Sequence, residues 1–222
     1  MRDPKMKTEQ ARFNMIEQQI RPWNVLDMGV LELLTIVKRE KFLPENQRSL
    51  AFMDTELPLT DGSLMLSPKM EARIVQEVAI KKHEHVLVVG AGTGYLSALL
   101  AFHARHVTCV ENSPAIFAPA QQTLHREGVS NVAIVLGDAS KGWSAEAPYD
   151  VIVMSGSLQV LPEELKQQLK IGGRLFVIVG SAPIMTAYLY TRISETEFES
   201  KSLFDTSIAS VAGASHVSEF SF

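Results

Sequence analysis

Short apolar runs recur along the last two thirds of the chain, and helical patterns separate most of them. These runs are mostly rich in valine and isoleucine and read HVLVVG (85–90), HVTCVE (106–111), VAIVLGD (132–138), YDVIVMSGS (149–157) and GRLFVIVG (173–180). The helical stretches between them span roughly 94–104, 114–127 and 162–169. Near-continuous apolar strands that alternate with helices are typical of a parallel sheet covered on both faces.

Two more candidate strands follow, TAYLYTRI (186–193) and FESKSLF (198–204), with no helix between them. Parallel neighbours need a long crossover, so at least one of these two strands should be antiparallel. The pattern predicts the α/β class, with a doubly wound and mostly parallel sheet of seven strands.

The first third of the chain shows helical periods instead. Phe13, Ile16 and Ile20 recur at spacings of three and four, which predicts one apolar helix face. Asp27 stands where it can cap a second helix, because its carboxylate can accept the first free backbone N–H groups. Pro119 lies inside the helix predicted at 114–127, and it should kink that helix or mark a late start.

The chain divides at the end of an irregular segment. Residues 45–66 show no sustained period and are predicted to form a loop, with room for a short strand. We therefore expect a helical N-terminal extension, 1–66, and an α/β domain, 67–222, as one structural unit. The last stretch, 207–222, is predicted to be a final strand and tail.

Composition and charge exclude several classes of protein. The 222 residues are 46% hydrophobic and 21% charged, which is ordinary for a soluble globular protein. A net charge of −4 and a pI near 5.9 give no reason to expect nucleic acid as a partner. No apolar stretch is long enough to span a bilayer, so no membrane partner is expected.

Cysteine and histidine usage narrows the chemistry further. Cys109 is the single cysteine, which excludes an internal disulfide and suits a reducing compartment. With a polar N-terminus, this predicts a cytoplasmic protein. No two histidines have the i, i+4 spacing of a helical zinc motif, so no metal site is predicted; they are His83, His85, His103, His106, His125 and His216.

The strongest motif is the glycine-rich turn in VLVVGAGTGY (86–95), where a hydrophobic strand runs into glycines and a helix follows. Glycines there let the backbone approach a ligand closely. A dinucleotide fingerprint, G-x-G-x-x-G, needs glycine at position 95, where this chain has Tyr95. The spacing G-x-G-x-G is instead the form common in S-adenosylmethionine-dependent methyltransferases. A purely structural turn is the alternative.

Two acids follow at the ends of the next strands. Glu111 ends the second strand, where a carboxylate can accept hydrogen bonds from both ribose hydroxyls of an adenosine cofactor. Asp138 follows the third strand, where it could accept from an adenine amino group. Each acid alone could be a helix cap. The glycine-rich turn, Glu111 and Asp138 stand at three successive strand ends, and together they favour the binding of an adenosine cofactor.

Seven segments together resemble the protein-L-isoaspartate O-methyltransferase family. In chain order they are NMIEQQIRP (14–22), VKREKFLP (37–44), Leu57-Pro58, VLVVGAGTGY (86–95), GDASKGW (137–143), APYDVIVMSGS (147–157) and LPEELKQQLKIGGRLFVIVG (161–180). The segments before residue 60 separate this family from other methyltransferases, since the cofactor core alone is widely shared.

The resemblance implies a Rossmann-like methyltransferase fold and a reaction. Members of the family transfer a methyl group from S-adenosyl-L-methionine to the free carboxylate of L-isoaspartyl residues in damaged proteins, so the implied partners are proteins or peptides that carry such residues. A carboxylate is already a nucleophile at neutral pH, and positioning is therefore the main requirement. The implied cofactor-binding residues are Leu66, Gly90, Ala91, Gly92, Thr93, Gly94, Glu111, Asn112, Asp138, Ala139 and Ser155.

The chain departs from the family at the loop expected to hold the substrate. The family reads about T-I-S-x-P-x-M there, and this chain has Leu64 and Leu66 in place of the two hydroxyl residues. Val88 stands where the family usually has a glutamate near the methionine end of the cofactor.

These departures leave three hypotheses. In the first, the substrate contact is made by Lys69 or by Ser67, which is displaced by one residue and is our candidate catalytic residue. In the second, the enzyme methylates another acceptor, a protein or a small molecule. In the third, the protein binds the cofactor or a partner without catalysis. An NAD-dependent oxidoreductase is a distant fourth. Ser67 also suits a helix N-cap, with Pro68 at the first helical position.

Overall fold

A computed structural model describes residues 4–211 and 213, and its centre is a seven-stranded sheet. Two further, very short strands precede that sheet in the chain. The strands are β1 (Leu57–Pro58), β2 (Leu64–Met65), β3 (His85–Val89), β4 (His106–Glu111), β5 (Val132–Leu136), β6 (Tyr149–Leu158), β7 (Leu169–Ser181), β8 (Ile184–Arg192) and β9 (Phe198–Thr206).

The order of strands across the sheet is β5-β4-β3-β6-β7-β8-β9. Strands β3 to β7 pair in parallel, β8 is antiparallel to β7, and β9 is antiparallel to β8. The prediction of a mostly parallel seven-stranded α/β sheet is therefore confirmed. The chain turns back directly after β7 and again after β8, as the missing helix between the last two apolar runs indicated.

Within residues 4–211, six α-helices accompany the sheet. They are α1 (Pro4–Met15), α2 (Met28–Ile36), α3 (Pro68–Val78), α4 (Tyr95–Ala101), α5 (Pro114–Arg126) and α6 (Glu163–Gln167). Within the described residues, no helix combines the length and the hydrophobicity that crossing a membrane requires. The last helix is shorter than the sequence pattern suggested, because Leu169 already begins β7.

Alternate residues of the central strand pack on opposite sides of the sheet. Val86 and Val88 belong to one hydrophobic cluster, and Leu87 and Val89 belong to another. The period of two along a strand produces this division. The first cluster also contains apolar residues of the N-terminal extension, such as Ile20, so the extension shares the core on that side.

The first helix buries a different face from the one that the apolar spacing predicted. Ile16 and Ile20 are buried as expected, but Phe13 is 59% exposed, so its assignment to the buried face was wrong. Arg12 lies inward instead, and its guanidinium is bonded to Glu9 and Glu40. An arginine with two carboxylate partners can occupy a buried position that hydrophobicity alone would give to phenylalanine.

Two further local predictions have mixed outcomes. Asp27 caps α2 as expected, since its Oδ1 accepts from the N–H groups of Gly29 and Val30 at 2.8 and 3.1 Å. Ser67 is the N-cap residue of α3, with Pro68 first in the helix, but its hydroxyl makes no capping bond. The expected side-chain cap was therefore wrong.

Proline 119 neither delays nor ends its helix. Helix α5 begins at Pro114 and contains Pro119 in its interior, on an exposed position. A proline removes the N–H that would bond the carbonyl four residues earlier, here that of Ala115. The hydroxyl of Thr60 donates to that carbonyl at 3.3 Å, which compensates for the missing backbone bond.

The segment before α3 contains more regular structure than expected. Residues Glu45–Leu50 form a 3₁₀-helix, and β1 and β2 form a two-stranded antiparallel ribbon. The residues after β2 lead directly into the N-terminus of α3. This places residues 64–66 beside the carboxyl ends of the central strands.

Candidate cofactor and acceptor site

An open cavity lies at the carboxyl ends of the central parallel strands. One side is formed by the glycine-rich turn after β3 and by residues at or just beyond the carboxyl-terminal parts of β4, β5 and β6. The other side is formed by the segment 56–66 and by residues 209–211 near the C-terminus. In doubly wound sheets ligands bind at this edge, because the chain turns away there and leaves a crevice.

The glycine-rich turn after β3 has the close approach that its sequence predicted. Gly90 has a φ of +91°, and a Cβ on it would lie 2.2 Å from Oγ of Ser155. That hydroxyl donates to the carbonyl of Val89 at 2.6 Å, which fixes the serine against the turn. A residue larger than glycine would therefore close the cradle that the backbone forms here.

Glu111 connects the second strand to the turn. Its carboxylate is buried and accepts from the N–H of Ala91 at 2.7 Å and from the N–H of Ser113 at 2.8 Å. Each carboxylate oxygen can accept a further hydrogen bond. The residue therefore supports the turn and keeps acceptor capacity for a pair of ribose hydroxyls.

The other sequence-predicted cofactor residues divide into two groups. Residues on the cavity wall are Leu66, Ala91, Gly92, Thr93, Asn112, Ala139 and Ser155, together with Gly90 and Glu111. Gly94 is the N-cap residue of α4, and a Cβ on it would lie 3.0 Å from the side chain of Leu124. It is not among the described residues that line the cavity.

Asp138 also lies outside the wall, although its neighbours Gly137 and Ala139 are part of it. Its side chain is exposed and accepts from the N–H of Ser140 at 2.8 Å. A contact between Asp138 and adenine stays a prediction, because this carboxylate is occupied locally.

The acceptor end of the cavity is apolar where the family has hydroxyl groups. Leu64 and Leu66 both line it, and Leu66 is buried. Ser67 is 8% exposed and does not line the cavity. Lys69 is directed elsewhere: its ammonium lies 2.8 Å from Asp54 and 5.2 Å from the ring centre of Trp23.

Two acids at the same end were not found from the sequence. Glu56 and Asp61 line the cavity, and no lysine, arginine or histidine does so among the residues that the structure describes. Burial raises the pKa of Glu56. Burial also acts on Asp61, but hydrogen bonds from Ser63 outweigh it and lower the pKa of that carboxyl. The acceptor end therefore has an acidic and apolar character.

A buried arginine holds the apolar loop in place. The guanidinium of Arg39 donates to Glu71 at 2.9 Å and to the carbonyls of Ala51 and Leu66 at 2.8 Å each. Burial raises the pKa of Glu71 to about 7, while the guanidinium acts in the opposite direction. The sequence signal for this contact was the arginine of VKREKFLP, which only the fold connects to residue 66.

Residues 209–211 form part of the cavity wall opposite the glycine-rich turn. The N–H of Ser157 donates to the carbonyl of Ala209, and the N–H of Val211 donates back to Ser157, each at 2.9 Å. Residues 209–211 thus run beside the end of β6, with one isolated parallel bridge at Ser210. The rest of the predicted final strand and tail, residue 212 and residues 214–222, lies outside the described residues.

Val88 has a core position. It is fully buried in β3 and is not among the described residues that line the cavity. The apolar side chain suits its surroundings, since it belongs to the same hydrophobic cluster as the N-terminal extension. The effect of this position on cofactor affinity stays a prediction.

The geometry defines a class of enzyme. Tyr95, which is buried, stands where a dinucleotide-binding turn needs its third glycine. The glycine cradle, Glu111 and the seven-stranded sheet, in which β8 alone runs against the other strands, instead define an S-adenosyl-L-methionine-dependent methyltransferase.

Comparison with known proteins identifies the family. The sequence model of the family described as protein-L-isoaspartate(D-aspartate) O-methyltransferase matches residues 10–215. The protein-L-isoaspartate O-methyltransferase of Brucella anthropi is 37% identical over 196 residues, which cover 88% of this chain and 90% of that protein. The enzyme of the same name from Rhodopseudomonas palustris is 37% identical over 201 residues, which cover 90% and 92%.

Solved structures agree with these matches. A protein-L-isoaspartate O-methyltransferase superimposes with a TM-score of 0.77 at 25% identity and covers 93% of this chain and 66% of its own. A Plasmodium falciparum protein in complex with S-adenosyl-L-homocysteine has the same fold, with a TM-score of 0.77 over 92% and 97% of the two chains at 19% identity. The chain belongs to the protein-L-isoaspartate O-methyltransferase family, whose cofactor is S-adenosyl-L-methionine.

Proposed function

We propose that this protein transfers the methyl group of S-adenosyl-L-methionine to the carboxylate of isoaspartyl residues in proteins or peptides. The observation that carries the proposal is the single cavity that joins the glycine cradle and Glu111 to the loop before α3. The names of the relatives, which match most of the chain, support the same acceptor.

The cradle fits the cofactor on its own structural evidence. The turn packs on Ser155 so closely that only glycine fits at Gly90, and Glu111 keeps free acceptor capacity beside it. The bound cofactor supplies an already activated methyl group. The chain has to hold the acceptor carboxylate in line with that methyl group and to remove water from it, and such positioning accounts for most of the rate gain in reactions of this kind.

The loop can meet that demand without its hydroxyl groups. Leu64 and Leu66 give the acceptor end an apolar wall, which reduces the hydration of a bound carboxylate. Arg39 fixes the backbone of this loop through the Leu66 carbonyl, so the wall has a defined position. Ser67 and Lys69 are engaged in the helix start and with Asp54, and neither lines the cavity in this structure.

A second acceptor class is favoured by the acids at the same end. Glu56 and Asp61 would repel an isoaspartyl carboxylate and attract a cationic or hydrogen-bond-donating group. Glu56, with its raised pKa, could accept a proton from such an acceptor. This alternative keeps the cofactor and changes the substrate.

One experiment separates the two acceptors. The purified protein is incubated with labelled cofactor and with two peptides of the same sequence, one isoaspartyl and one aspartyl. Methylation of the isoaspartyl peptide alone supports the first proposal. No turnover, with S-adenosyl-L-homocysteine binding retained in calorimetry, refutes it and leaves the second acceptor or a protein that only binds the cofactor. Absence of binding would refute both methyltransferase proposals.

Variants refine the result. Leu66→Ser restores the family hydroxyl and should raise isoaspartyl kcat/KM, whereas Leu59→Ser, on the same wall but at no family hydroxyl position, should not. Glu56→Gln should lower KM for the anionic peptide under the first proposal, because it removes a repulsive charge. Under the second proposal, the same variant should abolish turnover of the true acceptor.

The lone cysteine accords with the expected location of the protein. Cys109 is free and buried, and burial raises the pKa of its thiol to about 12. Such a thiol is inert, which supports a structural role in a reducing compartment such as the cytoplasm.

A further inference from the structure

A second group of chemically active side chains lies at the opposite edge of the sheet from the cavity. His85 is the first residue of β3 and His106 is the first residue of β4, and the two are direct partners in the parallel register. Their ring centres lie 5.3 Å apart. The two histidines are distant in sequence, so a search for helical spacing does not detect the pair.

A carboxylate completes the group. Glu146 ends a short 3₁₀-helix, Ser144–Glu146, and its Oε2 lies 3.5 Å from Nε2 of His85. One ligand atom from each of His85, His106 and Glu146 lies within 4.8 Å of the other two. Three different segments of the chain therefore converge on one point.

We propose that His85, His106 and Glu146 bind a transition-metal dication, with Zn²⁺ as the reference ion. Two imidazole nitrogens and one carboxylate oxygen form a known zinc donor set, and a water molecule can take the fourth position. Zinc–ligand bonds of about 2.0–2.2 Å place tetrahedral ligands about 3.3–3.6 Å apart. The His85–Glu146 separation already matches, and His106 reaches the same point by a rotation of its partly exposed ring.

The surroundings orient the group for this purpose. The buried Thr108 lies between two of the ligands. Its hydroxyl donates to Oε2 of Glu146 at 2.5 Å, and the same oxygen lies 3.0 Å from Nε2 of His85. Partners of this kind hold a ligand in its binding orientation and raise metal affinity. When the metal takes the His85 nitrogen, the bond from Thr108 to Glu146 can remain.

The local charges also permit a cation. Lys170 is the nearby positive group, and its ammonium is paired with Asp150 at 2.7 Å. Glu146 is 39% exposed, so an ion can reach the site from solvent.

The position implies a structural role. The site is separated from the glycine turn by the length of β3, about 16 Å for five residues. A bound ion would tie the starts of β3 and β4 to the loop before β6 without contact with the cofactor. The proposal is therefore independent of the methyl acceptor.

The test uses the full chain without an affinity tag, freed of metal with a chelator and titrated with Zn²⁺ alone in a calorimeter. We expect one ion per chain and at least a tenfold loss of affinity in His106→Gln and in Glu146→Gln, because each removes one ligand. The control variant His125→Gln, at the end of α5, should bind like the wild type. Saturating Zn²⁺ should also raise the melting temperature of the wild type by about 5 °C, and that of His106→Gln by much less.

Two outcomes overturn the proposal: wild-type protein that takes up no stoichiometric Zn²⁺, or equal affinities in the wild type, His106→Gln and Glu146→Gln. Binding of S-adenosyl-L-homocysteine by each variant shows that it has folded. X-ray absorption on the Zn²⁺-loaded wild type gives a test that needs no variant. It should show two imidazole ligands and oxygen ligands, and a spectrum with fewer than two imidazoles would contradict the assignment.

Discussion

Replacement of Arg39 by methionine tests how the acceptor loop is held. The Arg39 side chain is 1% exposed, and its guanidinium donates to three groups that would lose this partner: the Glu71 carboxylate and the carbonyls of Ala51 and Leu66. Methionine fills a similar volume but donates no hydrogen bond. The change therefore leaves a buried carboxylate and two buried carbonyls without their donor.

The expected cost is large compared with the stability of a domain. Removing one member of a buried ion pair costs about 3–5 kcal/mol, because the remaining charge is buried without compensation. Unfolding free energies are about 5–15 kcal/mol, so Arg39→Met should lose a fifth or more of the total and lower Tm by about 10 °C. The double variant Arg39→Met/Glu71→Gln should be more stable than Arg39→Met alone, since no carboxylate is left behind.

The pH dependence has a defined sign. The folded-state pKa of Glu71 is about 7, above the ordinary value of 4.5, so the folded protein binds more protons than the unfolded chain between these two values. The contribution of Glu71 to stability therefore falls as pH rises from about 4.5 to 7. Loss of the guanidinium should extend this fall to higher pH in Arg39→Met, and Glu71→Gln should remove it.

Urea unfolding at pH 5, 6, 7 and 8 measures these effects, with an unchanged m-value as the condition for comparing variants. Arg21→Met is the matched control, because its partner Glu17 forms an exposed pair, and it should cost less than about 1 kcal/mol. A loss of under 1 kcal/mol in Arg39→Met, or parallel pH profiles for Arg39→Met and the double variant, would refute the reasoning. At a temperature where it is folded, Arg39→Met should also have a lower kcat/KM, since the Leu66 carbonyl is released.

Two further predictions concern the cofactor cradle. Gly90→Ala should abolish the binding of S-adenosyl-L-homocysteine in calorimetry, because its Cβ would overlap the Ser155 hydroxyl. The control is Gly128→Ala, where φ is +72° and the space around the residue is open. This variant should have a similar backbone strain of about 1 kcal/mol and normal binding. Equal losses of binding in the two variants would contradict this account of the cradle. Glu111→Gln should weaken the same binding about tenfold or more, because an amide accepts at one of the two atoms where the carboxylate accepts at both. Unchanged affinity would show that Glu111 supports only the turn.

The strands and their order of appearance were accessible from the sequence, because a buried parallel strand needs an uninterrupted run of apolar residues. The runs at 85–90, 106–111 and 132–138 all became strands, and the glycine turn followed the first of them. Local caps were less certain. Asp27 and Ser67 both stand directly before the first residue of a helix, but only the Asp27 side chain makes a capping hydrogen bond.

Misassigned positions were those where a distant partner changed the preference of a residue. Arg12 displaced Phe13 from the buried face because Glu9 and Glu40 compensate its charge. Pro119 was correctly placed inside a helix, and the sequence did not reveal that the Thr60 hydroxyl donates to the carbonyl that the proline leaves free.

The fold class, the cofactor motif and the family could be predicted from the sequence, because the apolar runs, the glycine spacing and the seven family segments are all visible in the order of residues. Only the fold shows which side chains meet: Glu56 and Asp61 with Leu66 at the acceptor end, and His85 with His106 at the far edge of the sheet. The physical reason is that a strand register or a chain crossing brings together residues whose separation in sequence has no period. The character of the acceptor end and the proposed metal site are therefore properties of packing, and no local pattern encodes them.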